Sequence, residues 1–114
     1  MVTKVYIPDR GDLVWIDLNP TKGKEQAKVR PAIVVSPKAY NQKVGLAIMC
    51  PVTSVAKDYP FEVETKDKNV TGVILSDRVR SLDWKARNIK FIVKAKPNVI
   101  KEVQTKLLLL IDNK

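Results

Sequence analysis

A small, mostly β barrel with short helices and one C-terminal α-helix is the fold that this sequence predicts, on three observations. Apolar stretches are short and separated by turns rich in Gly, Pro, Asn and Asp. Sustained helical periodicity appears only after Pro97, and neither an internal repeat nor a low-complexity tract interrupts the chain. Its 114 residues make one domain, 1–114, large enough to bury roughly two-thirds of its unfolded surface.

In chain order, residues 1–10 form a lead-in and Gly11-Asp12 turns into a first strand, Leu13–Leu18. That strand is almost continuously apolar, so both of its faces should touch protein, with Trp15 in the core. Asn19-Pro20 ends it. The loop that follows carries Gly23 between two lysines and then Glu25 and Gln26, too polar to lie under a core. A second strand, Ala32–Ser36, is bounded by Pro31 and Pro37, each lacking a backbone donor. Arg30 therefore stands at the loop-to-strand junction, carried by a rigid element and facing whatever the loop covers, as a phosphate-handling site requires.

Lys38–Lys43 holds one helical turn with Tyr40 packed inward and Asn41 near its end. Gly45 releases a third strand, Leu46–Thr53, whose alternation sets Leu46, Ile48, Cys50 and Val52 on one face. Pro51 means that it frays or lies at an edge near its end, leaving Thr53 and Ser54 free to turn their hydroxyls outward. After a loop over 55–60, Phe61–Glu64 alternates with Phe61 and Val63 inward, 66–71 is a turn, and Gly72–Ser76 completes a hairpin. A second polar stretch, Asp77–Arg87, gathers Asp77, Arg78, Arg80, Asp83 and Arg87, pinned by Val79, Leu82 and Trp84. Ile89–Ala95 is the last strand. Pro97 suits the first turn of a helix whose Val99, Ile100, Val103, Leu107, Leu110 and Ile111 share one face.

Charge narrows the partners. Lys and Arg number 21 against 12 Asp and Glu, a net charge of +9, so the long-range field attracts polyanions: nucleic acid first, an acidic protein segment second. Cysteine and histidine narrow the chemistry. There is no His, and the lone Cys50 lies in an apolar run. A zinc site lacks its ligands, a catalytic thiol lacks its imidazole, and no internal disulfide can form. The N-terminus has no apolar segment of signal-peptide type and no run approaches the roughly 20 residues of a membrane span. A cytoplasmic protein without metal, cofactor or membrane association is expected.

The order Gly11-Asp-Leu-Val-Trp15, Asn19-Pro-Thr-Lys-Gly-Lys-Glu-Gln26, Arg30-Pro-Ala-Ile-Val-Val-Ser-Pro37, Tyr40-Asn41, Val52-Thr53, Gly72-Val73 and Asp77-Arg-Val-Arg-Ser-Leu-Asp-Trp-Lys-Ala-Arg87 resembles the MazF/PemK/Kid toxins over nearly the whole chain. The resemblance implies an SH3-like barrel of the MazF, Kid and CcdB type and the toxin half of a type II toxin–antitoxin pair. It further implies a sequence-specific, metal-independent endoribonuclease. Such a protein works as a homodimer, cuts single-stranded RNA in a groove across the dimer, and leaves a 2′,3′-cyclic phosphate and a 5′-hydroxyl. Its matched catalytic positions are Arg30 and Thr53, with Glu25 a further candidate in an adjoining loop that moves. Some relatives carry an arginine two residues before the aspartate matching Asp77; Leu75 stands there in this chain, which favours a mechanism centred on Arg30 and Thr53.

The chemistry agrees with the residues present. Attack by a ribose 2′-hydroxyl on its neighbouring phosphate needs alignment, a base, charge stabilisation and a proton for the leaving oxygen. Arg30 can hold a phosphoryl oxygen with two hydrogen bonds and Thr53 can donate another. The base is Glu25 or Asp77, each weak at neutral pH while its pKa stays near about 4. Lys22, Lys24, Lys28, Arg78 and Arg87 are candidates for phosphate contacts, and Gln26, Asn41 and Asp77 for reading splayed bases. An acidic, disordered antitoxin segment is expected to fold along the same basic groove. Two other classes fit the fold: a gyrase-poisoning toxin, and a nucleic-acid-binding module without catalysis.

Overall fold

A computed structural model describes residues 5–19 and 28–112, with the side chains of Asn19 and Lys28 outside that description. Seven strands and two helices follow in the order β1 (Asp12–Asn19), β2 (Lys28–Val34), α1 (Lys38–Val44), β3 (Ala47–Thr53), β4 (Glu62–Asp67), β5 (Val70–Leu75), β6 (Arg80–Leu82), β7 (Lys90–Lys94) and α2 (Pro97–Ile111). The strands join in one antiparallel sheet ordered β4-β5-β3-β2-β1-β7, with β6 on β3. Its ends, β4 and β7, do not pair, so the mostly β fold is a half-barrel with α2 at its C-terminus.

The central strands are buried on both faces, as the unbroken apolar run of β1 predicts. Leu13, Ile33, Cys50 and Val52 point to one side and pack with Val63, Ile74, Ile92 and the α2 residues Val99 and Val103. Val14, Ile16, Ala32, Val34, Ala47 and Met49 point to the other, where Leu82 and Trp84 from the polar stretch cover them. Trp15 is partly buried against the first cluster. The face predicted for β3 is therefore half the answer: Ala47 and Met49 are also buried, while Leu46 and Ile48 are only partly so. The hairpin turn is tighter than expected, two residues at 68–69, so β4 and β5 each reach further.

Three expectations need correction. Pro31 does not bound β2 but lies inside it, opposite Trp15. Tyr40 is 38% exposed and Asn41 takes its place inward, fully buried. The amide of Asn41 donates to Pro8 O at 2.8 Å and Ser36 O at 3.0 Å, its oxygen accepts from Ser36 Oγ, and its carbonyl accepts from Trp84 Nε1 at 3.1 Å. A base reader must face solvent, so Asn41 is a structural centre that ties the N-terminal segment, α1 and the Trp84 loop together. Finally, α2 begins at Pro97 as predicted, but Leu110 and Ile111 are half or more exposed. Only Val99 and Val103 of the predicted stripe are fully packed.

Two results follow for the core. Asn41→Ala strands several buried donors and acceptors and should lower stability by about 2–4 kcal/mol, read by urea unfolding; a loss under 1 kcal/mol would contradict the bridging role. Burial, with the Asp77 charge behind it, pushes the Cys50 thiol up to about 12. Cys50 should thus resist thiol reagents in the native protein and react once denatured; rapid native labelling at pH 8 would be the contrary outcome.

Candidate active site

The groove begins where the β2–β3 ladder stops. Ala32 pairs with Pro51, the last rung of the ladder. Pro51 has no N–H to donate, and Pro31, next along β2, has none either. Continuing the register two steps would set Arg30 opposite Thr53; instead the strands part there, β3 turning to pair Val52 and Thr53 with β5. The wedge between them is a cavity of about 710 Å³ lined by Arg30, Pro31, Pro51, Thr53, Arg78 and Arg80 among others, with Asn69 and Thr71 of the β4–β5 hairpin as one wall.

Each side chain has a reason for its place. Arg30 is exposed on β2 opposite Ile16, and among the described residues no carboxylate pairs with it. Thr53 is half-buried at the end of β3, and its Oγ1 accepts the N–H of Val55 at 3.3 Å, which leaves the hydroxyl proton for another acceptor. Gly72 permits this position: a Cβ there would lie 2.2 Å from Thr53 O. Arg80 reaches across to donate from Nη1 to Leu18 O at 3.2 Å.

A second cavity of about 570 Å³ adjoins the first, lined by Lys57, Tyr59, Glu62 and Asp77, and shares Thr53, Val55, Leu75 and Arg78 with it. Tyr59 donates its hydroxyl to Asp77 Oδ2 at 2.5 Å, and the Asp77 Oδ1 is enclosed without a hydrogen-bond partner among the described residues. That hydrogen bond, then desolvation and the Asp77 charge, raise the Tyr59 pKa against the opposing charge of Arg78. Glu62 stabilises the loop by accepting from Lys57 N at 3.0 Å and Tyr59 N at 3.3 Å.

The sequence-predicted residues divide accordingly. Arg30, Thr53 and Arg78 meet in the first cavity, and Asp77 lies in the second. Arg87 does not join them: it is half-buried, and its Nη1 donates to Asp17 O at 3.0 Å and Leu18 O at 2.6 Å, holding its loop to the end of β1. That nitrogen therefore serves the fold, and Arg87 lines neither cavity. Lys22, Lys24, Glu25 and Gln26, and the side chain of Lys28, lie outside the described residues. Tyr59 was missing from the sequence reading, and Arg80 was gathered into the polar stretch without a role of its own; their neighbours across 18 and 62 residues leave no local mark. Gly72 was legible in principle, because a glycine inside a β-branched strand signals close backbone approach.

Residues 9–111 match the PemK-like, MazF-like toxins of type II toxin–antitoxin systems. The endoribonuclease toxin MazF of Escherichia coli K12 is 43% identical over 106 residues, 93% of this chain and 96% of its own. Escherichia coli PemK, also an endoribonuclease, is 34% identical over 104 residues, 87% of this chain and 78% of its own. Among solved structures, MazF of Deinococcus radiodurans superposes with a TM-score of 0.85 at 47% identity, covering 96% of this chain and all of that one. A MazE–MazF complex from the same organism gives a TM-score of 0.86 at 45% identity, with 96% and 100% covered.

Proposed function

We propose how this chain, which belongs to the PemK-like, MazF-like toxins of type II toxin–antitoxin systems and is an endoribonuclease, cuts its RNA. The observation that carries the proposal is the parting of β2 and β3, where Arg30 and Thr53 line one groove. The substrate is single-stranded RNA, whose own 2′-hydroxyl attacks the adjacent phosphorus. The bond to the 5′-oxygen breaks, leaving a 2′,3′-cyclic phosphate and a 5′-hydroxyl. Arg30, uncommitted to any described carboxylate, binds the phosphoryl oxygens as negative charge builds on them. Thr53, its oxygen already accepting from Val55, donates its proton to the same group. Glu25 is the preferred base, because Tyr59 already engages the Asp77 carboxylate. No step calls for a metal or cofactor.

Cleavage is sequence-specific, with Gln26 and Asp77 offering hydrogen-bonding groups to splayed bases and Lys22 and Lys28 meeting flanking phosphates. The protein acts in the cytoplasm, where messenger RNA cleavage stops translation and growth. No helix of the described residues is long and apolar enough to cross a membrane. It works as a homodimer, a reading supported by the exposed apolar end of α2. A MazE-type antitoxin is its partner, as in the Deinococcus radiodurans complexes. An acidic, disordered segment of that antitoxin occupies the groove and should be displaced by salt.

The test is sequencing of 5′-hydroxyl ends from mixed RNA incubated in EDTA with the wild type or Arg30→Ala. Discrete ends sharing a short motif, at least a hundredfold rarer with the variant, are expected. Equal ends from both forms would remove Arg30 from the chemistry. No ends at all from folded protein would point to gyrase inhibition or passive binding.

A further inference from the structure

The two cavities share four lining residues, Thr53, Val55, Leu75 and Arg78, which stand between them. Of these, Thr53 and Arg78 carry groups that bind anions. A phosphodiester links two nucleosides, so an enzyme that breaks it needs room on each side of the phosphorus and its charge-binding groups between. The cavities, about 710 and 570 Å³, are each in the range of roughly 300–1,000 Å³ that encloses a small ligand. Arg30, by contrast, lines only the larger one.

Arg78 also carries its charge at the edge of the Tyr59–Asp77 cavity without a hydrogen-bonded or ion-pair partner among the described residues, although a carboxylate is its neighbour in sequence. Asp77 is turned toward Tyr59, and the backbone N–H of Arg78 donates to Leu75 O at 3.1 Å. Arg80 and Arg87, the other arginines of the stretch, both donate to Leu18 O. We propose that Arg78 is a second catalytic arginine, binding the phosphate under attack where the cavities join, and that the Tyr59–Asp77 cavity holds one of the two nucleosides that flank it. The assignment rests on the RNA-cutting function proposed above. With Arg30 reaching from the larger cavity and Arg78 from the junction, the two guanidiniums bracket the phosphorane oxygens while Thr53 donates between them. Neither arginine moves a proton; both act on developing charge.

The test is the single-turnover rate on an oligonucleotide that carries the mapped cut site, at saturating RNA, for wild type, Arg78→Ala and Arg78→Lys. Arg78→Ala should fold as the wild type does, since its exposed side chain makes no hydrogen bond or ion pair among the described residues, and should lose about a hundredfold in rate. Arg78→Lys, keeping the charge without the fork, should recover part of the loss. A second reading is independent of rate: a neutral methylphosphonate at the cut site of a 2′-O-methyl RNA should weaken binding to the wild type about tenfold and to Arg78→Ala much less. Wild-type rate in Arg78→Ala, with only weaker binding and a salt slope shallower by about 0.7, would place Arg78 on a flanking phosphate and overturn the assignment. Intact RNA with the wild type itself would instead overturn the RNA-cutting reading, and this one with it.

Discussion

Replacing Gly72 by alanine should cut RNA cleavage about a hundredfold although residue 72 carries no chemistry. The added Cβ would stand 2.2 Å from Thr53 O, 3.0 Å from Thr53 C and 3.3 Å from Ser54 Cα. All three are backbone atoms, so no side-chain rotation relieves the contact. Either β5 backs away from β3 or the Thr53–Ser54 peptide moves, by about 1 Å in each case to reach ordinary van der Waals separation. The rungs Val52↔Ile74 and Thr53↔Val73 anchor β3 on one side of this point, and beyond Ala32↔Pro51 nothing from β2 supports it on the other. The displacement therefore falls on Thr53. Stability should drop by about 1–3 kcal/mol as overpacking usually costs, leaving a folded protein on which rate can be measured. Cleavage per folded molecule, with folding followed by circular dichroism, separates the two effects. Wild-type turnover in Gly72→Ala would mean that the position of Thr53 is not critical.

How much of this was legible beforehand depends on the distance over which each feature is decided. The unbroken apolar run of β1 announced burial on both faces, and Leu13 and Val14 indeed belong to opposite clusters. Pro97 marked the start of α2 through its own fixed φ. Both are local properties. The far end of α2 misled because periodicity reports that a helix has an apolar face, not where its supporting sheet ends; Leu110 and Ile111 lie beyond it. Asn41 misled in the opposite sense. A polar residue in a short helix looks solvent-facing unless one knows that Pro8, 33 residues away, offers a carbonyl there. Strand β6 escaped notice because two of its three residues, Arg80 and Ser81, are exposed. Arg30 and Thr53 could be identified separately, by residue type and resemblance. Their shared groove depends on where two prolines end a ladder, and that register is a tertiary fact.

Asp12→Ala should produce the largest loss of stability, about 3–5 kcal/mol, because it breaks a mostly buried charge network at the start of β1. The Asp12 side chain is 5% exposed, and its Oδ1 lies 2.5 Å from Lys94 Nζ. Its Oδ2 accepts from Tyr6 OH at 2.5 Å and Asp9 N at 3.0 Å. One carboxylate thus joins the N-terminal segment to β1 and, through the Asp12↔Lys94 rung, to edge strand β7. Its removal leaves the Tyr6 phenol and the Asp9 amide without an acceptor. Lys94 keeps only its bond to Arg10 O at 3.1 Å and a 3.9 Å contact with Asp9. Lys94 is itself half exposed and can recover water, so Lys94→Ala should cost much less than Asp12→Ala. In urea the midpoint for Asp12→Ala should fall by roughly 1.5–2.5 M, taking a denaturant slope of about 2 kcal/mol/M. Near-equal losses from the two variants would locate the stabilisation in the ion pair alone; a loss from Asp12→Ala below about 1 kcal/mol would remove the network as a support of the fold.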